Sequence, residues 1–182
     1  MSRRSWSTSS LSLLLLLCGC GYVFVGGVVA LPPGAETIAV PVFGNRTAEP
    51  GIETDFTNSL AFEFNRSGVL KVVAPPADLV LSGSIDGLHL EAVAYNREVI
   101  AVARRVRLRV SAKLTSGPTG AVLWEDAGIL DNEVFPVSED PLVTEGNRRQ
   151  AIRRIAERIA FQIHNRALDE AGARAGAADR PR

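Results

Sequence analysis

Arg105, Arg107, Arg109 and Lys113 fall on alternate positions of a stretch whose intervening residues are Val106, Leu108, Val110, Ala112 and Leu114. Alternation with a period of two marks a half-buried strand, so the four cations share one side of it. Like charges so placed repel unless acids on neighbouring strands or the anions of a partner answer them. Asp86, Glu91, Glu98, Glu125, Asp126, Asp131 and Glu133 are the acids within reach in sequence. Two readings stay open: a solvated face with cross-strand pairs, or a surface that binds anions or a partner. Arg97, in the turn candidate Tyr95-Asn96-Arg97, adds a fork of donors suited to phosphate.

Other chemistry is scarce. His89 and His164 are the only imidazoles; the first reads as a strand residue on a polar face, the second as a boundary residue of a helix. No local spacing suggests a nucleophile with its base, and no phosphate-binding glycine loop or metal-ligand cluster occurs. No catalytic residue, metal or other cofactor is expected. The two cysteines, Cys18 and Cys20, lie two residues apart, which excludes a disulfide framework. The chain has 20 basic and 20 acidic side chains, a balance that argues against a nucleic-acid binder. With 182 residues, 46% hydrophobic and 22% charged, it suits one globular domain with tails.

Residues 1–19 read as a targeting segment. Arg3 and Arg4 form a positive start, and an apolar run from Leu11 to Leu17 follows, too short to span a bilayer. Leu17-Cys18-Gly19-Cys20 resembles a bacterial lipobox, with Leu at −3, a small residue at −1 and the lipidated cysteine at Cys20. Cleavage before Cys20 leaves one cysteine, blocked by its lipid, and the attached acyl chains suffice for a stable membrane anchor. Residues 20–35 are then a lipid-anchored segment, either tether or strand.

The elements that must position the cations follow from periodicity. Thr37 to Phe43 reads as a strand at an edge or with a bulge, because Pro41 removes a ladder donor. Gly44 to Thr47 reads as a turn. Pro50 suits the first position of a helix; Ile52, Phe56, Leu60 and Phe64 give its buried stripe, and Gly68 its end. Val69 to Ala74 is a short strand. Residues 78–94, 98–115 and 121–135 form three strands joined by tight turns, an antiparallel meander. A second helix runs from near Asp140-Pro141 or Thr144 to about Ala171, with Ile152, Ile155, Ala156, Ile159, Ala160, Ile163 and Ala167 as its stripe. Residues 172–182 read as a mobile tail. The expected fold is α+β: a two-layer sandwich, two helices on one face of a mostly antiparallel sheet of about four strands, over residues 36–171.

Several of these residues also stand in a familiar order. Cys20-Gly21-Tyr22-x-Phe24 opens the mature chain; Thr37-Ile38-Ala39-Val40-Pro41-Val42-Phe43-x-Asn45-Arg46-Thr47-x-x-Pro50-Gly51 follows. Then come Ala77-Asp78-x-x-Leu81-x-Gly83-x-Ile85, Tyr95, the alternating strand and Val122-Leu123-Trp124. This order resembles the LPS-assembly lipoprotein family LptE from Cys20 to about Ala171. The resemblance implies two helices on a four-stranded sheet and no enzymatic activity. It also implies a place at the outer membrane, lipid-anchored and facing the periplasm and the lumen of the outer-membrane β-barrel LptD. There the family assists barrel assembly and lipopolysaccharide (LPS) insertion. Under that reading Arg97, then Arg105, Arg107, Arg109 and Lys113, are the candidate LPS contacts. The alternative is a lipoprotein adaptor that regulates a cell-wall synthase or a secretion channel, since the opening strand motif recurs in such proteins.

Overall fold

The computed structural model describes residues 31, 34–98 and 100–178. The targeting segment, Cys20 and most of the anchored segment lie outside the described residues. In chain order the elements are β1 (Thr37–Ala39), β2 (Gly44–Asn45), α1 (Ile52–Ser67), β3 (Lys71–Val72), β4 (Leu79–Tyr95), β5 (Ala101–Ser116), β6 (Val122–Pro136) and α2 (Pro141–Ala178). The strands form one sheet in the order β3-β1-β4-β5-β6, with β2 also paired to β4.

This corrects the expected four-stranded, mostly antiparallel sheet. The α+β architecture holds, but the sheet has six strands and is mixed. β4, β5 and β6 form the antiparallel meander, whereas β1 pairs with β3 and β4 in parallel and β2 pairs with β4 in parallel. The parallel part arises because α1 lies between β1 and β3 in the chain, the crossover that parallel neighbours require. Gly44 and Asn45, expected in a turn, pair instead with Ser84 and Ile85.

The sandwich itself follows from two stripes and one alternating strand. Ile52, Phe56, Leu60 and Phe64 of α1 are buried, and Gly68 ends the helix in the left-handed conformation at φ 66°. Gly51, at φ 90°, stands just before the helix, so Pro50 falls outside it. The predicted stripe of α2 is buried throughout. Both stripes meet Leu79, Leu81 and Ile85 of β4, the even residues Val106 to Leu114 of β5, and Trp124, Ile129 and Phe135 of β6 in one core. Burying a leucine-sized side chain contributes roughly 1.5–3 kcal/mol, so this single interface dominates the stability.

α2 begins where expected, at Pro141, with the Asp140 carboxylate accepting from the Leu142 N–H at 2.8 Å. It runs past Ala171 to Ala178 without a break at Gly146, so most of the expected tail is helical. His164 is a second departure. It is buried rather than at the boundary, packed edge-on against Phe64 with ring centroids 4.9 Å apart. Among the described residues, no helix is long and apolar enough to cross a membrane.

A charged clamp ties α2 to the loop before α1. Arg148 donates to both oxygens of Glu49, at 2.6 and 2.9 Å, and to both oxygens of Glu145. Hydrogen bonds from Arg148, and next from Arg149, hold the Glu145 carboxyl at a pKa of about 2, below its usual 4.5. A carboxylate whose pKa is lower folded than unfolded stabilises the fold above the unfolded value and loses that contribution as pH falls. Stability is therefore expected to drop between about pH 4.5 and pH 2. Glu145→Gln should lack this part of the acid loss, measured as urea midpoints at pH 7 and pH 3. Equal losses in both proteins would show that the clamp contributes nothing.

Candidate functional site

Both helices cover one face of the sheet, and among the described residues no element covers the opposite face. The odd residues of β5 point to that open side. Arg105, Arg107, Arg109 and Lys113 therefore stand in a row along it, as the alternation predicts, with Ser111 between the last two. The ladders supply their neighbours. Glu91, His89, Gly87, Ser84 and Ser82 of β4 lie opposite Arg105, Arg107, Arg109, Ser111 and Lys113. On the other side, Val134, Asn132, Leu130 and Glu125 of β6 lie opposite Arg105, Arg107, Arg109 and Lys113.

The acids answer this row only in part. One carboxylate, Glu91, takes both Arg105 Nη1 at 2.9 Å and Arg107 Nη2 at 2.8 Å. Arg105 Nε is buried without a hydrogen-bond partner. Asp86 accepts from the Ser84 hydroxyl at 2.6 Å and from Arg46 at 3.1 Å. The Ser84 bond, then Ser111, Arg46 and Arg109, hold the Asp86 carboxyl below its ordinary pKa against the opposing effect of burial. Among the described residues, neither Arg109 nor Lys113 forms an ion pair. The acids Asp131 and Glu133 leave this face altogether. Their side chains turn to the helix layer, where Arg158 reaches both, at 2.6 and 2.9 Å, and Arg154 reaches Glu133 at 3.0 Å. Arg166 takes Asp126 at 3.0 Å in the same way. Arg154, Arg158 and Arg166 of α2 thus remove three acids from the competition for the row. The open face keeps a positive excess.

A depression of about 450 Å³ lies at the Lys113 end of the row, lined by Ser82, Ser84, Ser111, Arg46 and Glu125 among others. Hydroxyls, two cations and one acid suit polar, anionic ligands of sugar or phosphate type. At the row's other flank, Leu130 and Val134 are exposed. Cations beside aliphatic side chains make a surface for amphipathic anions.

Arg97 belongs to a different place. It sits in the β4–β5 turn, fixed by Asn96, whose N–H donates to the Ile100 carbonyl and whose Oδ1 accepts from Glu98 and Ile100 N–H groups. At about 3.3 Å per strand residue, Lys113 stands roughly 40 Å from this turn. The five candidate cations therefore do not form one cluster. Arg105 and Arg107 form a pair around Glu91, Lys113 lines the serine depression with Arg46, Arg109 stands between the two groups outside that lining, and Arg97 sits apart in the turn. His89 is exposed on the open face and, among the described residues, completes no catalytic pair with a neighbour. Among the described residues, no group of acids, histidines or cysteines could hold a metal ion. Sequence reasoning missed the apolar residues around the hairpin end; their signal was apolar residues at both odd and even positions between Leu90 and Val102.

Known structures share this fold. The rare lipoprotein B of Shewanella oneidensis superposes with a TM-score of 0.52 at 11% identity, covering 76% of this chain and 98% of that one. The solution structure of lipoprotein B from Nitrosomonas europaea also gives 0.52, at 16% identity, covering 86% and 94%. These likenesses establish the fold alone. No curated protein matches the chain significantly by sequence. The LptE lipopolysaccharide-assembly family model, however, matches residues 35–167, from just before β1 into the last turns of the α2 stripe. The chain belongs to the LptE lipopolysaccharide-assembly family.

Proposed function

We propose that this protein is a non-enzymatic outer-membrane lipoprotein. On this reading it assists assembly of an LptD-type β-barrel, plugs its lumen and takes part in inserting LPS into the outer membrane. The observation that carries the reading is the sheet face that the described elements leave uncovered. Of its row of four cations, Arg105 and Arg107 share one carboxylate, and among the described residues no carboxylate lies within ion-pair distance of Arg109 or Lys113. LPS offers clustered phosphates and carboxylates beside acyl chains. A rigid strand meets them with little ordering cost, and arginine grips phosphate with two parallel bonds. Affinity purification of the native lipoprotein tests the barrel half of the reading. A stable complex with a large outer-membrane barrel is the expected result; a cell-wall synthase or secretion channel in its place would overturn it.

The ligand half is tested by charge reversal. Arg97→Glu with Arg107→Glu and Arg109→Glu should weaken LPS binding and make the remaining binding less salt-sensitive, since screened ion pairs are lost. Circular dichroism checks the fold, and barrel association is measured separately. Undiminished LPS affinity in a folded triple variant would remove these cations from the site.

Attachment is tested at the lipobox. Mass spectrometry of membrane-extracted protein should find the chain starting at an acylated Cys20, and Cys20→Ala should release the protein from membranes. An unmodified start at another residue would refute the lipoprotein reading.

A further inference from the structure

Among the described residues β6 is the last strand on its side of the sheet. An edge strand presents a row of N–H and C=O groups on which another chain can build. The β5–β6 ladder decides which groups face outward. The Val137 N–H donates to the Val102 carbonyl at 2.9 Å, and the register runs without a shift from Ala103 opposite Pro136 to Val110 opposite Ile129. Bonded and non-bonded pairs alternate in an antiparallel ladder, so Asp131, Glu133, Phe135 and Val137 bond to β5. Leu130, Asn132, Val134 and Pro136 turn their backbone groups outward.

Side chains occupy every second one of these outward residues. The Asn132 N–H donates to Asp131 Oδ1 at 2.7 Å, and the Asn132 carbonyl accepts from Arg158 Nη2 at 3.0 Å. Arg158 Nε also donates to Asp131 Oδ2 at 2.6 Å, which closes a clasp around Asn132. Pro136 has no N–H, and its carbonyl accepts from Asn147 Nδ2 at 3.1 Å. Leu130 and Val134 remain, separated by a blocked residue, so no two successive rungs are open to a new strand. Beyond Ile129 a register shift opposite Val110 and Ala112 breaks the edge, and the Gly128 N–H turns in to Asp126 Oδ1.

The blocked edge is one that a second copy of this chain would fit. Leu130 is 59% exposed and Val134 46%, both on the open face. Two β6 strands laid antiparallel about Asn132 would set Leu130 of each copy beside Val134 of the other. Such a two-fold pairing would bury apolar surface while it made backbone bonds.

We infer that the Arg158–Asp131 clasp on Asn132, with Asn147 on Pro136, keeps the β6 edge closed to a second copy of this chain. This closure is independent of what the open face binds. It is tested on the lipoprotein extracted from membranes, by sedimentation in density-matched detergent, with circular dichroism to check the fold. The parent is expected to sediment as a monomer. Asp131→Ala with Arg158→Ala removes one charge of each sign, leaves Glu133 to Arg154, and frees both backbone groups of Asn132. This double variant should show about a doubling of sedimenting mass as its concentration rises, the signature of a two-fold dimer. Adding Val134→Pro should return it to a monomer, because the N–H that proline removes faces outward and not toward β5. A dimeric parent, or a folded double variant that stays monomeric, would overturn the closure. A dimer that survives Val134→Pro would overturn it too, since association would then run through the apolar face. Amide exchange of the parent, followed by NMR, gives a measurement that needs no variant. Asn132 N–H should be protected while Leu130 and Val134 N–H exchange fast; equal protection of all three would mean that the edge is already paired.

Discussion

Leu60→Asp is expected to unfold most of the protein at temperatures where the parent is folded. Leu60 is fully buried at the centre of the α1 stripe, between Phe56 and Phe64, in the one core shared by both helices and the sheet. An aspartate there removes the leucine contacts and places a carboxyl group among aliphatic and aromatic side chains with no partner. The cost is about 3 kcal/mol or more, a large part of the 5–15 kcal/mol that usually separates folded from unfolded chains. For a chain of this length that is a fall in Tm of roughly 10 °C. Arg153→Ala is the matched control: Arg153 is exposed on α2 and makes no ion pair among the described residues, so its loss should cost under about 0.5 kcal/mol. The pair is read by thermal unfolding under circular dichroism. Comparable Tm shifts would mean that the buried and solvent faces of the helices are misassigned.

What could be read from the residues alone depended on how far each signal extended along the chain. The α1 and α2 stripes repeat over several turns, and β5 alternates over many residues, so each names its own buried face. The short parallel strands have no such signal. β2 is two residues, Gly44 and Asn45, and reads locally as a turn; only pairing with β4 makes it a strand. Thr37 to Phe43 is apolar on both sides, but ladder pairing ends at Ala39, just ahead of Pro41. α2 outruns its apolar stripe: residues 172–178 lack large apolar side chains, yet alanine is the best helix former and Gly172 is buried.

The candidate site divides in the same way. Alternation places Arg105, Arg107, Arg109 and Lys113 on one side of β5, which the fold bears out. Which acids answer them depends on the register between strands and on the helix laid across the far face. Asp131 and Glu133 are near the row in sequence, yet they pair with Arg158 and Arg154 because β6 presents them to α2. The serine depression needs β4 and β5 aligned with Ser84 opposite Ser111, a register that neither strand specifies alone.

That alignment also makes Gly83 the most sensitive residue near the site. Gly83 lies opposite Ala112 in the β4–β5 ladder, between Ser82 and Ser84 of the depression, and the Phe43 ring occupies the space where a side chain would stand. A Cβ at this position would overlap the Ser111 carbonyl oxygen, come to 2.5 Å from Phe43 Cε1 and 3.0 Å from the Ala112 Cα. Phe43 has little freedom to withdraw: it is buried against Phe56, with ring centroids 5.2 Å apart, and its N–H donates to the Thr57 hydroxyl at 3.0 Å. Two of the three close atoms are backbone, so relief requires β4 and β5 to separate. Gly83→Val is therefore expected to cost about 3 kcal/mol or more, at the upper end of what overpacking does. Gly83→Ala should cost less but show the same sign. Phe43→Leu should recover part of the alanine variant's loss, because it removes the aromatic contact and leaves the backbone one; a double-mutant cycle reads that coupling as a departure from additivity. The damage should extend to ligand binding, since β4 carries Ser82 and Ser84 into the depression beside Lys113. At a temperature where Gly83→Ala remains folded, its LPS affinity should fall, whereas Arg153→Ala, far from the open face, should keep the parent's. Unchanged stability in Gly83→Val would show that β4 and β5 are not in this register, and the alignment of Ser82, Ser84 and Ser111 around Lys113 would fall with it.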